Sequence, residues 1–158
     1  MAEVRIVKAK KENIPQIVEN WKEYIDYNSD IYPYFKRGAN AHVEFEKSLR
    51  AFMVSKKALV LVALDGDMLV GHSIAEISRF PPGYCSNPDY GHILEIGVRA
   101  KHRGKGIGTM LFNSMLAWFR SKGMKRVELR TEFKNDLAQS FWRGKGFRGY
   151  GEIKYKEL

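Results

Sequence analysis

The chain has 158 residues, 44% of them hydrophobic and 28% charged, with 14 Gly and 5 Pro, a balance that excludes collagen-like, low-complexity and disordered classes. At roughly 150 residues per domain it reads as one domain over 1–158, long enough to bury a core without disulfides or a structural metal. The net charge of +9 is lopsided: residues 1–98 hold 12 basic and 13 acidic side chains, while residues 99–158 hold 15 basic and 5 acidic, so an anionic partner is expected to meet the second half.

The longest apolar run, Ala58 to Leu64, is seven residues, far short of the roughly 20 that a membrane helix needs. The first residues, MAEVRIVK, lack the apolar core of a secretory signal. Cys85 stands alone, which points to a reducing compartment, and the cytoplasm is the expected location.

In chain order, Val4 to Lys8 alternates like a half-buried strand. Ile14, Ile17, Val18, Trp21 and Ile25 space one face of a helix running from Asn13 to about Asn28. The aromatic stretch Tyr27 to Arg37, broken by Pro33, reads as a loop, and a second helix follows over roughly Ala41 to Ser55. Ala58 to Leu64 is a strand covered on both faces. Asp65-Gly66-Asp67 turns it back into Met68 to Ile77 as a hairpin. After a loop over residues 80–90, His92 to Val98 forms a further strand. A glycine-rich turn then leads into a helix ending near Lys122 and Gly123. Arg126 to Phe133 is expected as a strand, Asn135 to about Lys145 as a capped helix, and Gly146-Phe147 as the start of terminal strands. A central hairpin followed by late βαβ units predicts an α/β domain around a mixed sheet flanked by helices.

The chemical clue is Arg103-Gly104-Lys105-Gly106-Ile107-Gly108, between a strand and a helix. Alternating glycines let backbone N–H groups turn toward a ligand, and the helix adds its positive end, so the turn suits a pyrophosphate. His102, Arg103 and Lys105 add charge around it. It lacks the G-x-x-x-x-G-K-[ST] of a P-loop, and its third glycine comes one residue early for a dinucleotide fingerprint.

Arg103-x-x-Gly106-x-Gly108 after a strand ending in Val98, followed by Asn135-x-x-Ala138-x-x-Phe141-Trp142-x-x-x-Gly146-Phe147, resembles the GNAT superfamily of N-acetyltransferases. The resemblance implies a GNAT-type fold and acetyl-CoA as co-substrate. It assigns the pyrophosphate to the backbone of Arg103, Gly104, Lys105, Gly106, Ile107 and Gly108, with Thr109. The backbone of Ile96, Gly97 and Val98 would pair with the pantetheine arm, on a strand whose bulge Gly97 could permit. Asn135 would hydrogen-bond the pantetheine, with Ala138 and Phe141 packing along it.

Direct attack by an amine on the thioester needs a base or a water chain that removes a proton, because a primary amine is mostly cationic at neutral pH. In the family such a group lies on the strand ending here at Val98, which makes His92 and Glu95 the candidates. Period-two alternation puts His92, Leu94, Ile96 and Val98 on one face and favours His92; a bulge would break that count and keep Glu95 in play. The plain alternatives are a hydrogen-bonded strand-end histidine and a cross-strand ion pair. Many members carry Tyr where this chain has Trp142, whose indole cannot supply a proton. That leaves Ser140, Tyr32, Tyr34, Tyr84, water or no acid at all.

The expected acceptor is an amine of a small molecule or protein, entering over Tyr27–Arg37 and Phe80–Tyr90, where Asp30 and Asp89 could attract a cation. Glu19, Glu23 and Asp26 lie opposite the apolar helix face and read as solvated surface. No membrane partner is expected, and a homodimer is allowed for. Two other readings stand beside the enzyme: a basic nucleic-acid-binding module, disfavoured because no helix-turn-helix, RRM or KH pattern supports it, and a catalytically silent acyl-CoA sensor.

Overall fold

A computed structural model describes residues 3–157. Its elements are β1 (Arg5–Lys8), α1 (Ile14–Ile31), α2 (Ala41–Val54), β2 (Ala58–Asp65), β3 (Met68–Arg79), β4 (Asp89–Val98), α3 (Ile107–Ser121), β5 (Val127–Leu129) and α4 (Asp136–Gly144), with short 3-10 turns between some of them. The five strands lie in sequence order in one sheet. Every neighbouring pair is antiparallel except β4–β5, which is parallel. This is the mixed α/β sheet flanked by helices that the element order predicts.

Helices cover both faces, and each face has its own core. On one, Ile14, Ile17 and Val18 of α1 and Leu49 of α2 pack on Val60, Val62 and Ile74. On the other, Leu111, Met115 and Phe119 of α3 pack on Leu61, Ala63, Val70, Ala75 and Ile93. The β2 residues alternate between the two cores, so its unbroken apolar run is what a strand buried on both faces requires. Each fully buried side chain of this kind stabilises the fold by about 1.5–3 kcal/mol.

Several expected boundaries move. Helix α1 continues to Ile31 rather than ending near Asn28. Pro33 sets its end, because the preceding Tyr32 takes an extended backbone, φ −139° and ψ 90°. Strands β3 and β4 run on to Arg79 and back to Asp89, where the Arg79 guanidinium donates two bonds to the Asp89 carboxylate at 2.6 and 2.8 Å. The expected strand 126–133 shrinks to Val127–Leu129, and no strand follows Phe147 among the described residues. The reason lies in β4. Only Gly91, His92 and Ile93 pair with β5, and beyond them β4 diverges, leaving the rest of that segment without a ladder partner.

A bulge marks the divergence. Opposite β3, Ile74 pairs with Glu95 and Ala75 with Ile93, so Leu94 is the extra residue. On the near side Gly91 backs onto Phe119 and Ile93 joins the α3 core. Leu94 packs on the α1/α2 side, and Glu95 turns to the same side, bonding His72. Ile96 and Val98 then pack against the α3 core. The bulge thus breaks the period-two count that would set Glu95 apart from His92.

Candidate active site

Beyond the bulge the outer edge of β4 is open. The Arg99 N–H bonds the Val70 carbonyl at 3.0 Å, and alternation along the ladder therefore turns the amide groups of Ile96 and Val98 outward and those of Gly97 toward β3. Of the three residues expected to offer backbone to a ligand, Gly97 faces inward, and its carbonyl accepts from the Asn20 side chain at 2.9 Å. Its glycine serves close approach rather than the bulge. A Cβ there would stand 2.9 Å from the His72 ring and 3.3 Å from the Asn20 amide nitrogen.

The open edge forms one wall of a cleft of about 350 Å³. Ile96 and Val98 line it from β4. Arg103, Gly104, Gly106, Ile107, Gly108 and Thr109 line it from the turn and the start of α3. Asn135, Ala138, Phe141 and Trp142 line it from α4 and its cap. Gly97, Lys105, His92 and Glu95 are not among the residues that line it.

Gly104 and Gly106 have φ of 74° and 81°, the left-handed region that a branched side chain resists. Gly106 is the N-cap of α3 and has no side chain to satisfy the first N–H groups, which leaves them available to an anion. The Arg103 guanidinium lies 4.5 Å over the Tyr27 ring, with Nε donating to the Val98 carbonyl at 3.1 Å. His102 lines the cleft, and its buried Nδ1 has no hydrogen-bond partner. An orphaned imidazole nitrogen, a strand edge without a ladder partner and an uncapped helix start beside basic side chains together fit an extended phosphorylated ligand.

Across the cleft, Asn135 Oδ1 accepts from the Ala138 N–H at 3.1 Å and caps α4. Its Nδ2 donates to Asn28 Oδ1 at 3.1 Å, tying α4 to α1. Tyr24, Tyr27 and Asn28 complete the lining from α1. None of the three is expected as a binding residue from the motifs. The signal was present, because Asn20, Tyr24, Tyr27 and Asn28 recur at helical spacing beside the apolar stripe. Burial pushes the Tyr24 phenol well above the ordinary tyrosine range, and the nearby Glu95 and Glu132 carboxylates push the same way.

His92 and Glu95 separate in environment. His92 sits where β4 is still paired on both sides, its Nδ1 3.6 Å from Glu76 Oε1. Glu95 sits past the bulge with a side chain 11% exposed. One of its oxygens is 2.6 Å from His72 Nε2. His72 itself is fully buried on β3, and no sequence motif marks it.

The candidate acid groups Tyr32, Tyr34, Tyr84 and Ser140 do not line the cleft. Tyr34 and Tyr84 are 80% and 77% exposed, and Ser140 is exposed. A hydrogen bond with Tyr155 pushes the Tyr32 phenol up to about 12. Of the acidic residues near the acceptor loops, Asp89 is paired with Arg79, which holds its carboxyl below the usual range. Asp26 is held down in the same way by the Arg37 bond at 2.7 Å. Asp30 lines an open groove of about 610 Å³ beside α1, together with Glu19, Glu23, Asp26, Arg37, Arg99 and Arg103. Glu19 pairs with Lys22 at 2.7 Å and Glu23 accepts from the Ala100 N–H, so these acids have partners of their own. Among the described residues no group of His, Cys, Asp or Glu is arranged to hold a metal, and no helix is long and apolar enough to cross a membrane.

The family model of the acetyltransferase (GNAT) family matches residues 21–147. Over 97 residues the chain is 30% identical to N-alpha-acetyltransferase 30 of Schizosaccharomyces pombe, covering 61% of this chain and 59% of that one. The chain spans three fifths or less of the length of the curated relatives it matches. Among solved structures, a mutant of the BH1408 protein from Bacillus halodurans superposes with a TM-score of 0.88 at 18% identity, over 98% of this chain and 99% of that one. The aminoglycoside N-acetyltransferase AAC(6')-Iy, solved in complex with CoA, gives 0.73 at 16% identity over 100% and 96%. At such identities the likeness is one of fold.

Proposed function

The chain belongs to the acetyltransferase (GNAT) family, and on that premise we propose that it transfers the acetyl group of acetyl-CoA to an amine of a small molecule or a protein. The observation that carries the reading is one cleft bounded by an uncapped helix start with left-handed glycines at one end and the free edge of β4 along its side.

In this reading the N–H groups around Gly104 to Gly108 and the positive end of α3 hold the pyrophosphate, with Arg103 adding charge. The outward N–H and C=O of Ile96 and the N–H of Val98 extend the sheet onto the pantetheine arm, as a strand would. Ala138, Phe141 and Trp142 supply the apolar wall, and Asn135 offers the remaining proton of its amide. Acetyl-CoA brings an activated thioester, and the residues of the chain position it and manage protons.

Glu95 is the group we assign to take the proton of the acceptor amine, directly or through one water. It lies past the bulge, with one oxygen already engaged by His72, and its side chain keeps a small exposed area. Tyr24 is the phenol we assign to the leaving sulfur. A phenol whose proton is held this tightly donates a hydrogen bond to a thiolate rather than surrendering the proton, and a thiolate leaves without full protonation near neutral pH. Trp142 then needs no acid role.

Thermal unfolding with acetyl-CoA tests the binding half of the reading. At 100 times its dissociation constant the ligand stabilises the fold by about 2.7 kcal/mol, a rise of about 5–10 °C in Tm for a domain of this size. No shift at millimolar acetyl-CoA, or an equal shift with an oligonucleotide, would overturn it. Gly106→Val should remove most of the shift, because a branched residue resists φ 81° and its side chain fills the space beside the helix start. Release of CoA thiol across a panel of amines tests the chemical half. Binding without release from any amine would leave an acyl-CoA sensor.

A further inference from the structure

We propose that Asn20 and His72 form a buried tether that locks one tautomer of His72 and through it fixes the carboxylate of Glu95, so that His72 is a positioning residue for the proton-accepting group. The proposal rests on the acetyl-transfer reading only for the role of Glu95. The tether itself stands on geometry.

It can be read outward from a group whose role is fixed by its chemistry. The Gly97 carbonyl can only accept, and Asn20 Nδ2 lies 2.9 Å from it. That contact sets the orientation of the Asn20 amide, with nitrogen rather than oxygen toward Gly97. The same nitrogen lies 2.6 Å from His72 Nδ1. It is a donor, so Nδ1 must accept and carries no proton. The neutral ring then has its proton on Nε2, which donates to Glu95 Oε1 at 2.6 Å. Asn20 and His72 are buried, 1% and 0% exposed, so the bonds between Asn20 and its two partners lie away from solvent.

Three elements are joined in the process: Asn20 from α1, His72 from β3 and Glu95 from β4. Gly97 admits the ring, since any Cβ there would meet it. His72 cannot relay a proton onward in this state, because its second nitrogen already faces a donor. It holds Glu95 Oε1 and leaves Oε2 to the acceptor. The titratable groups facing Glu95 are His72 from β3 and Tyr24 from α1, with Glu132 beyond Tyr24. Among the described residues no lysine or arginine forms an ion pair with Glu95.

The test has two parts. In the ¹⁵N-labelled protein, imidazole nitrogen shifts read the tautomer without any assay of activity. The expected result at pH 7 is a ring with the proton on Nε2 and none on Nδ1; a proton on Nδ1 overturns the proposal. The second part is the pH profile of kcat/KM with one good amine. His72→Leu removes a donor that favours the carboxylate form, so the acid limb should move up by about one pH unit or more. His72→Gln, which keeps a donor near the Nε2 position, should restore most of that shift. An unmoved limb in His72→Leu, or no rescue by Gln, overturns the positioning role. Should either variant fail to fold, the tautomer measured in the unaltered protein still decides. Loss of the Tm response to acetyl-CoA in the parent would instead count against acetyl transfer, leaving the tether to the nitrogen shifts.

Discussion

The two ends of β4 make opposite use of one strand. From Asp89 to Ile93 it is an interior strand, paired with β3 on one side and, over its last three residues, with β5 on the other. From Leu94 to Val98 it keeps β3 but loses β5, and its outer edge has no strand partner, the Val98 carbonyl accepting from Arg103 Nε. At the paired end His92 is opposite Glu76 on β3 and Glu128 on β5, an arrangement that ties strands together. At the open end one Glu95 oxygen is tethered to buried His72. A single extra residue, Leu94, separates the half paired on both sides from the half with an open outer edge. Identical backbone chemistry becomes an open edge only where the neighbouring strand stops.

That contrast can be broken most directly with Glu95→Gln and His92→Ala. Glu95→Gln should lower kcat/KM by about 10²–10⁴-fold and abolish the acid limb of its pH profile. His92→Ala should keep both rate and profile, at the cost of its contact with Glu76. The reverse pattern in steady-state kinetics would return the proton-accepting role to the paired end.

A second, smaller effect is expected from Tyr24→Phe, which removes only the phenol oxygen. If that oxygen donates to the departing sulfur, kcat should fall about tenfold, the worth of one bond to a charged group, while acetyl-CoA affinity is little changed. Trp142→Phe should retain most of the rate. Its ring packs against Phe112, Phe141 and Phe147, so the loss should show in Tm rather than in turnover. Single-turnover kinetics on the two variants separates the assignments, and equal losses in both would sink the role given to Tyr24.

Asn135→Ala sharpens the comparison at its low end. The residue caps α4 and bridges to Asn28 across the cleft. Losing the cap should cost about 1 kcal/mol, or about 2–4 °C in Tm. A further loss of about 0.5–1.5 kcal/mol should appear in acetyl-CoA binding by calorimetry if its amide also meets the ligand. A loss confined to Tm would make Asn135 purely a helix cap.

What the amino-acid sequence determined by itself is local. The glycines at 104 and 106 announce a turn that only they tolerate, Asn135 announces a helix start, and Ala58 to Leu64 announces a strand covered on both sides. Each follows from steric or hydrogen-bonding preferences within a few residues, and so the order of elements and the glycine-rich turn that bounds the cleft were legible. The bulge at Leu94 was not, because it arises from the register between β3 and β4, and nothing in HILEIGV marks which residue is extra. Nor was the link between Asn20, His72 and Glu95, whose members lie 52 and 23 positions apart. A lone histidine in an apolar strand acquires buried polar partners only when a helix amide and a carboxylate from a third element are packed against it. The helical stripe of Asn20, Tyr24 and Asn28 was visible as a pattern, yet its meaning depended on which face of the sheet α1 covers. Tertiary structure decided those points, since burial, tautomer and proton affinity are properties of the neighbours that the fold brings together.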